Sequence, residues 1–160
     1  RKGKHPSEAR LIDYVQKQID IGSVVYFNSN SLYSRDYTLC GWSDPEEWGT
    51  WSEGKSERIV MPIDIKGASY VRFQARPLIG GAIKSQNVTI SFNGIYSGGI
   101  ALSDSLTTFD IAIPHEAKNK NGGSYLLIDL TLPDAARPVD VGLGDDIREL
   151  SFGLVSIVVY

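Results

Sequence analysis

The sequence reads as an all-β protein: an antiparallel β-sandwich or jelly roll with one helix at its N-terminal end. Three observations carry that reading. Apolar and polar residues alternate with a period of two in segment after segment. Turn residues (Gly, Pro, Asn and Asp) separate those segments roughly every 8–12 residues. Beyond Gly22 no helical period returns, so the crossover helices of a parallel sheet are missing.

The helix comes first. Pro6-Ser7 is a start signal, with Ser7 as N-cap and Glu8 at the positive end of the helix dipole. Leu11, Ile12, Val15 and Ile19 then recur at helical spacing, and Asp20-Ile21-Gly22 closes the element. Residues 1–21 are therefore expected to be a basic tail and an amphipathic helix packed on a sandwich of residues 22–160. In the sandwich, Val24 to Phe27 and Tyr37 to Cys40 are short strand-like runs, with Cys40 expected in the core. Ile59, Met61, Ile63 and Ile65 alternate across the next segment, where Pro62 predicts an edge strand or a bulge. Val71, Phe73 and Ala75 face one way, and Arg72, Gln74 and Arg76 the other. Val88, Ile90 and Phe92 lead into Asn93-Gly94, the strongest hairpin signal in the chain. Ile95 to Leu102 returns, and Gly98-Gly99 predicts a bulge there. Phe109, Ile111 and Ile113 form a strand ended by Pro114, and Tyr125 to Leu132 forms another. Leu150 to Tyr160 is apolar on both faces, as a central strand should be. Pro133 to Glu149 is the longest stretch without a period.

Composition narrows the function classes. The chain has 160 residues, with 16 basic and 19 acidic side chains and a net charge of −3. A general nucleic-acid binder would show a basic excess. No apolar run approaches the roughly 18 residues of a membrane-spanning helix, so no membrane insertion is expected. One cysteine cannot make an internal disulfide. There is no Gly-x-Ser-x-Gly elbow, no glycine-rich phosphate loop opening a helix, and no His or Cys pair at zinc spacing. No cofactor is expected. Asp140, Asp145 and Asp146 are oxygen ligands of the kind calcium takes, but their spacing does not match an EF-hand loop. Asp44, Glu46 and Glu47 form a second acidic cluster. A glycosidase needs two carboxyl groups facing across a sugar, so a carboxylate-dependent glycan hydrolase stands as the enzymatic alternative.

All three tryptophans fall in one polar segment, Gly41-Trp42-Ser43-Asp44-Pro45-Glu46-Glu47-Trp48-Gly49-Thr50-Trp51-Ser52. Indole faces stack on the C–H faces of sugars, and neighbouring carboxylates accept hydrogen bonds from sugar hydroxyls. Trp42, Trp48, Trp51, Glu47 and Asp145 are therefore candidate sugar-binding residues. The competing reading has the indoles capping one end of the core. An exposed, coplanar pair would favour sugar; three buried rings would favour structure.

The same segment resembles a pattern, Gly-x-Ser-x-x-Glu-x-Trp-Gly-x-Trp-Ser, of an accessory β-sandwich domain appended to bacterial cell-envelope phosphoglycerol transferases and glycosyltransferases. The family's glutamate falls on Glu46 or Glu47. Its arginine before the second Trp is Thr50 here. Arg137-Pro138-Val139-Asp140-Val141-Gly142, Asp145 or Asp146, Arg148 and Leu150 resemble the family's closing segment. The resemblance implies a non-catalytic module that binds a polysaccharide or glycolipid glycan, or positions it for a parent catalytic domain, in the periplasm or at the cell surface. A purely structural domain packed on that parent is the alternative. The two matched segments also lead to an expected ion pair: the fork of Arg148 on Glu46 or Glu47, holding the tryptophan loop.

Overall fold

The computed structural model describes residues 18–31, 34–120 and 124–160. Two antiparallel sheets face each other. Nine strands build them: β1 (Val24–Tyr26), β2 (Thr50–Trp51), β3 (Ser56–Met61), β4 (Tyr70–Pro77), β5 (Gln86–Phe92), β6 (Ile95–Leu102), β7 (Thr107–Ala112), β8 (Leu126–Thr131) and β9 (Phe152–Val159). In the five-stranded sheet β9 lies between β4 and the short strands β1 and β2, and β7 closes the far edge. The four-stranded sheet runs β3-β8-β5-β6. Two single helical turns, α1 (Ser34–Tyr37) and α2 (His115–Lys118), sit in the connections. The antiparallel sandwich predicted from the alternation is the fold.

The core follows from the period. Val71, Phe73 and Ala75 of β4 and Ile90 and Phe92 of β5 are fully or almost fully buried. Phe73 stacks on Phe92 of the opposite sheet, with ring centroids 6.5 Å apart, and on Phe109 of β7 at 5.2 Å. Three aromatic rings thus tie the two layers together. β3 is an edge strand, as Pro62 requires, and it stops at Met61.

Asn93-Gly94 forms the tight β5–β6 turn. Both residues have positive φ, 49° and 79°, the conformation a two-residue hairpin demands. The bulge expected near Gly98-Gly99 is present: Ile90 pairs with Gly98 and Ser91 with Tyr96, which leaves Ser97 unpaired in the ladder. Its hydroxyl repairs the gap, accepting from the amide of Phe92 and donating to the carbonyl of Ile95.

One expectation changes, and one falls outside the described residues. Tyr37 to Cys40 is not a strand. Tyr37 ends α1, and only Thr38 bridges to Ile59 of β3. The segment's one bridge to the sheet edge does not make it a strand, and the Cys40 thiol is exposed rather than in the core. The expected helix falls almost wholly on residues 1–17, outside the described residues. Gln18 to Asp20 are irregular; Ile19 nonetheless packs against the core, and its amide donates to the carbonyl of Pro62.

Asn93 does more than turn the chain. It is buried, its amide nitrogen donates to the carbonyl of Ala117 at 3.0 Å, and its carbonyl oxygen accepts from the amide of Leu127 at 2.8 Å. The hairpin tip is thereby stitched to β8 and α2. Replacing Asn93 by Ala strands one buried and one partly buried backbone group, an expected loss of about 2–4 kcal/mol, against about 1 kcal/mol for Gly94→Ala from backbone strain alone. Urea unfolding of the two variants checks the ranking; equal losses would mean that the side-chain bonds contribute nothing.

Candidate functional site

The tryptophan segment closes one side of the sandwich. Trp42 bridges to Ser52, Thr50 and Trp51 join β9, and Leu39 donates its amide to the carbonyl of Arg58 on β3. The segment therefore touches both sheets, and its three indoles part company. Trp42 packs against the core and donates its indole N–H to the carbonyl of Arg58 at 3.1 Å. Trp48 and Trp51 lie on the other sheet, with ring centroids 5.2 Å apart.

Alternation along β9 decides where that pair sits. Phe152 and Leu154 point into the core, so Gly153 faces outward. Trp51 and Arg76 are its two cross-strand neighbours and face the same way. A side chain on Gly153 would run into the Trp48 ring and the Arg76 stem, which shows that the indole lies in the notch this glycine leaves. The Arg76 guanidinium sits over the Trp48 ring, its central carbon 4.4 Å from the centroid. The two indoles meet edge to face at 70° and are partly buried. They form neither a coplanar exposed platform nor a fully buried cap.

The same outer face continues along β9. Tyr26, half exposed, pairs with Ser156, which pairs with Gln74. Further on, Arg72 is held by Asp110 at 2.8 Å and lies over the ring of Tyr160, which packs against Tyr70. From Gly153 to Tyr160 the face runs on the order of 20 Å and bears aromatic rings at both ends and in the middle.

Arg148 corrects an expectation. Its guanidinium is taken by Asp146, two residues away, at 2.6 Å, and the same carboxylate accepts from the Arg148 backbone amide. It has no ion pair with Glu46 or Glu47; Glu46 acts on it only through space. A partner two residues off costs far less chain ordering than one a hundred residues away. Arg148 in turn holds the Asp146 carboxyl below the usual carboxylate range. The two segments do meet, but through backbone: the amide of Gly54 donates to the carbonyl of Glu149 and that of Ser52 to Phe152. Asp145 and Glu47 are exposed, and no hydrogen bond joins either side chain to the tryptophans. Asp44 pairs with Arg35 at 2.6 Å. Among the described residues no group of three or more His, Cys, Asp or Glu gathers to hold a metal.

The site the sequence reading passed over is Glu57. It falls in phase with Ile59 and Met61 of β3 and is 3% exposed. That phase was the available signal. One carboxyl oxygen accepts from the amide of Glu53 at 3.1 Å; the other is buried without a partner. It rests on Gly41, where a side chain would overlap it and where φ is +98°. Burial pushes the Glu57 carboxyl up to about 8, with the nearby Glu53 charge adding to the rise.

Neither a family model nor a curated protein sequence matches the chain. Solved structures do resemble it in shape. The mosquito-larvicidal Cry4Aa toxin from Bacillus thuringiensis superposes with a TM-score of 0.50 at 8% identity, over 89% of this chain and 24% of the toxin. A carbohydrate-binding module, CBM36 in complex with calcium and xylotriose, gives 0.44 at 12% identity over 74% of this chain and 84% of the module. The CBM51-2 and INT domains of Clostridium perfringens ZmpB give 0.33 at 12% identity, over 84% of this chain and 28% of theirs. At such identities the likeness is one of architecture.

Two outcomes are expected from this geometry. The pKa of Glu57 is raised on folding, so the native state holds a proton that the unfolded chain releases. Stability should be greatest below about pH 4.5 as far as this group decides it, and fall as pH rises to about 8, by on the order of 4 kcal/mol. Glu57→Gln should flatten that fall in thermal melts taken across the interval. Arg148→Ala should cost less than about 1 kcal/mol, since both members of its pair are about a third exposed, 33% and 32%. A loss several times larger in denaturant unfolding would mean that Arg148 holds more than Asp146.

Proposed function

We propose that the chain is a carbohydrate-binding module that lays a glycan along the outer face of its five-stranded sheet. The observation that supports this is the run of Trp48, Trp51, Tyr26 and Tyr160 on one outward face, interleaved with Gln74 and Arg76. A solvated sheet face needs only polar side chains. Rings interleaved with hydrogen-bonding groups match the alternating C–H faces and hydroxyls of a sugar chain. This surface, and not the likeness to solved structures, supports the reading. Of the residues marked in the sequence, Trp48 and Trp51 carry it; Trp42 has already used its indole N–H inside the fold.

On the resemblance of the tryptophan segment, we place the module outside the cytoplasm, beside a glycan-modifying enzyme of a bacterial cell envelope, as a binding or substrate-positioning part. Trp51→Ala and Tyr26→Ala should each weaken glycan binding about tenfold or more while the fold is kept. Trp42→Ala should lower the melting temperature and leave binding by the folded fraction intact. Tryptophan fluorescence titrated with envelope oligosaccharides reads both. Equal binding by wild type and the folded Trp51 and Tyr26 variants would remove the glycan from this face and favour its being covered by the parent catalytic domain.

A further inference from the structure

The described residues include six arginines. Five of them, Arg35, Arg58, Arg72, Arg137 and Arg148, lie against an aspartate at 2.6 to 3.6 Å. Arg76 has no such partner among the described residues and makes no side-chain hydrogen bond there. Scarcity of acid does not explain this, since the chain carries 19 acidic side chains to 16 basic ones. Nor is Arg76 a loose surface residue. It projects from β4 beside the notch at Gly153, its stem packs over that glycine, and its guanidinium rests on Trp48. Stacking on an indole fixes the group in place and satisfies none of its N–H donors. A charged fork is thus positioned and only partly buried, stacked on Trp48, whose ring centroid lies 5.2 Å from that of Trp51.

We infer that the saccharide bound at this end of the face carries a carboxylate, so that the ligand is a uronic-acid-containing glycan, and that Arg76 receives that group. The inference rests on the carbohydrate-binding reading and specifies its ligand. A sugar ring against the exposed part of the Trp51 indole would bring an exocyclic carboxylate within reach of the neighbouring fork. A planar carboxylate accepts two parallel N–H bonds from a guanidinium, and its single charge matches that of Arg76. A doubly charged phosphate would need a second cation, and the nearest arginine on this face, Arg72, is already held by Asp110. The exposed Glu47, next in sequence to Trp48, adds repulsion that a dianion would feel more strongly.

The test compares the intact chain's affinity for uronate-containing oligosaccharides with that for their neutral counterparts, oligogalacturonate against oligogalactose among them. The acidic forms should bind about tenfold or more tightly. Added salt should weaken them, while neutral binding stays constant. Arg76→Gln should erase the preference, so that acidic and neutral forms bind alike. Arg76→Lys keeps the charge and most of the stem but loses the fork, so it should fall between. Circular dichroism confirms that the variants fold. Equal binding of acidic and neutral glycans by wild type, or an acidic preference that survives in both variants, overturns the assignment to Arg76 while the module reading stands. Binding of no glycan of either kind overturns both.

Discussion

β9 has hydrogen-bonded neighbours on both edges, and its inward side chains are covered by the other sheet. Its position constrains the rest. Phe152, Leu154, Ile157 and Val159 supply a continuous inner row that leaves almost no surface to water. Because β1 and β2 share one edge of β9 and β4 takes the other, this strand holds the N-terminal strand, the tryptophan segment and the sheet centre in one register. An apolar run of this length tolerates no slip, since moving one residue would turn the whole inner row to solvent.

Charges are placed around that core with one exception inside it. The arginine–aspartate pairs lie at the surface, where each contributes little to stability and mainly orients side chains. Glu57 is the exception: a carboxyl on the inward phase of an edge strand, half satisfied, beneath the turn that begins at Gly41. A carboxyl so placed remains neutral over most of the physiological range. Trp48 and Trp51, anchored on β9, lie on the opposite sheet, away from this carboxyl.

Much of the fold was legible because its strands are half buried and alternate cleanly. β4, β5 and β7 read directly from Val71-Phe73-Ala75, Val88-Ile90-Phe92 and Phe109-Ile111, and Asn93-Gly94 marked its own turn. Short elements did not read. Tyr37 to Cys40 has strand composition, yet a single bridge to Ile59 leaves it a sheet-edge contact, and composition alone cannot count hydrogen bonds. The candidate site was legible only in part. Three indoles within ten residues look like one cluster, but a segment that crosses from one sheet to the other sends Trp42 one way and Trp48 and Trp51 the other. The Arg148 pairing failed for a related reason. Asp146, two residues away, takes up the Arg148 guanidinium that was expected to reach the tryptophan loop. Arg76 read as one more polar residue on an outward phase, because its lack of an acidic partner is a property of the assembled surface.

That surface depends on one irregularity. Gln74 pairs with Ser156, but Ala75 pairs with Leu154, so Val155 is an extra residue in β9. On either side of it the inward phase changes from Phe152 and Leu154 to Ile157 and Val159. Without the insertion, strict alternation from Leu154 would turn Ser156 and Val158 into the core and Ile157 out to water. The bulge keeps both halves of the strand buried on the correct side, and it frees the Val155 carbonyl to accept the amide of Phe27 at 3.0 Å, which anchors the end of β1. It also puts Gly153 and Ser156 on the same outer face, so that the indole notch and the Tyr26–Ser156–Gln74 row form one surface. A single extra residue in the central strand therefore aligns the two halves of the proposed glycan face, and does so by the same displacement that completes the core.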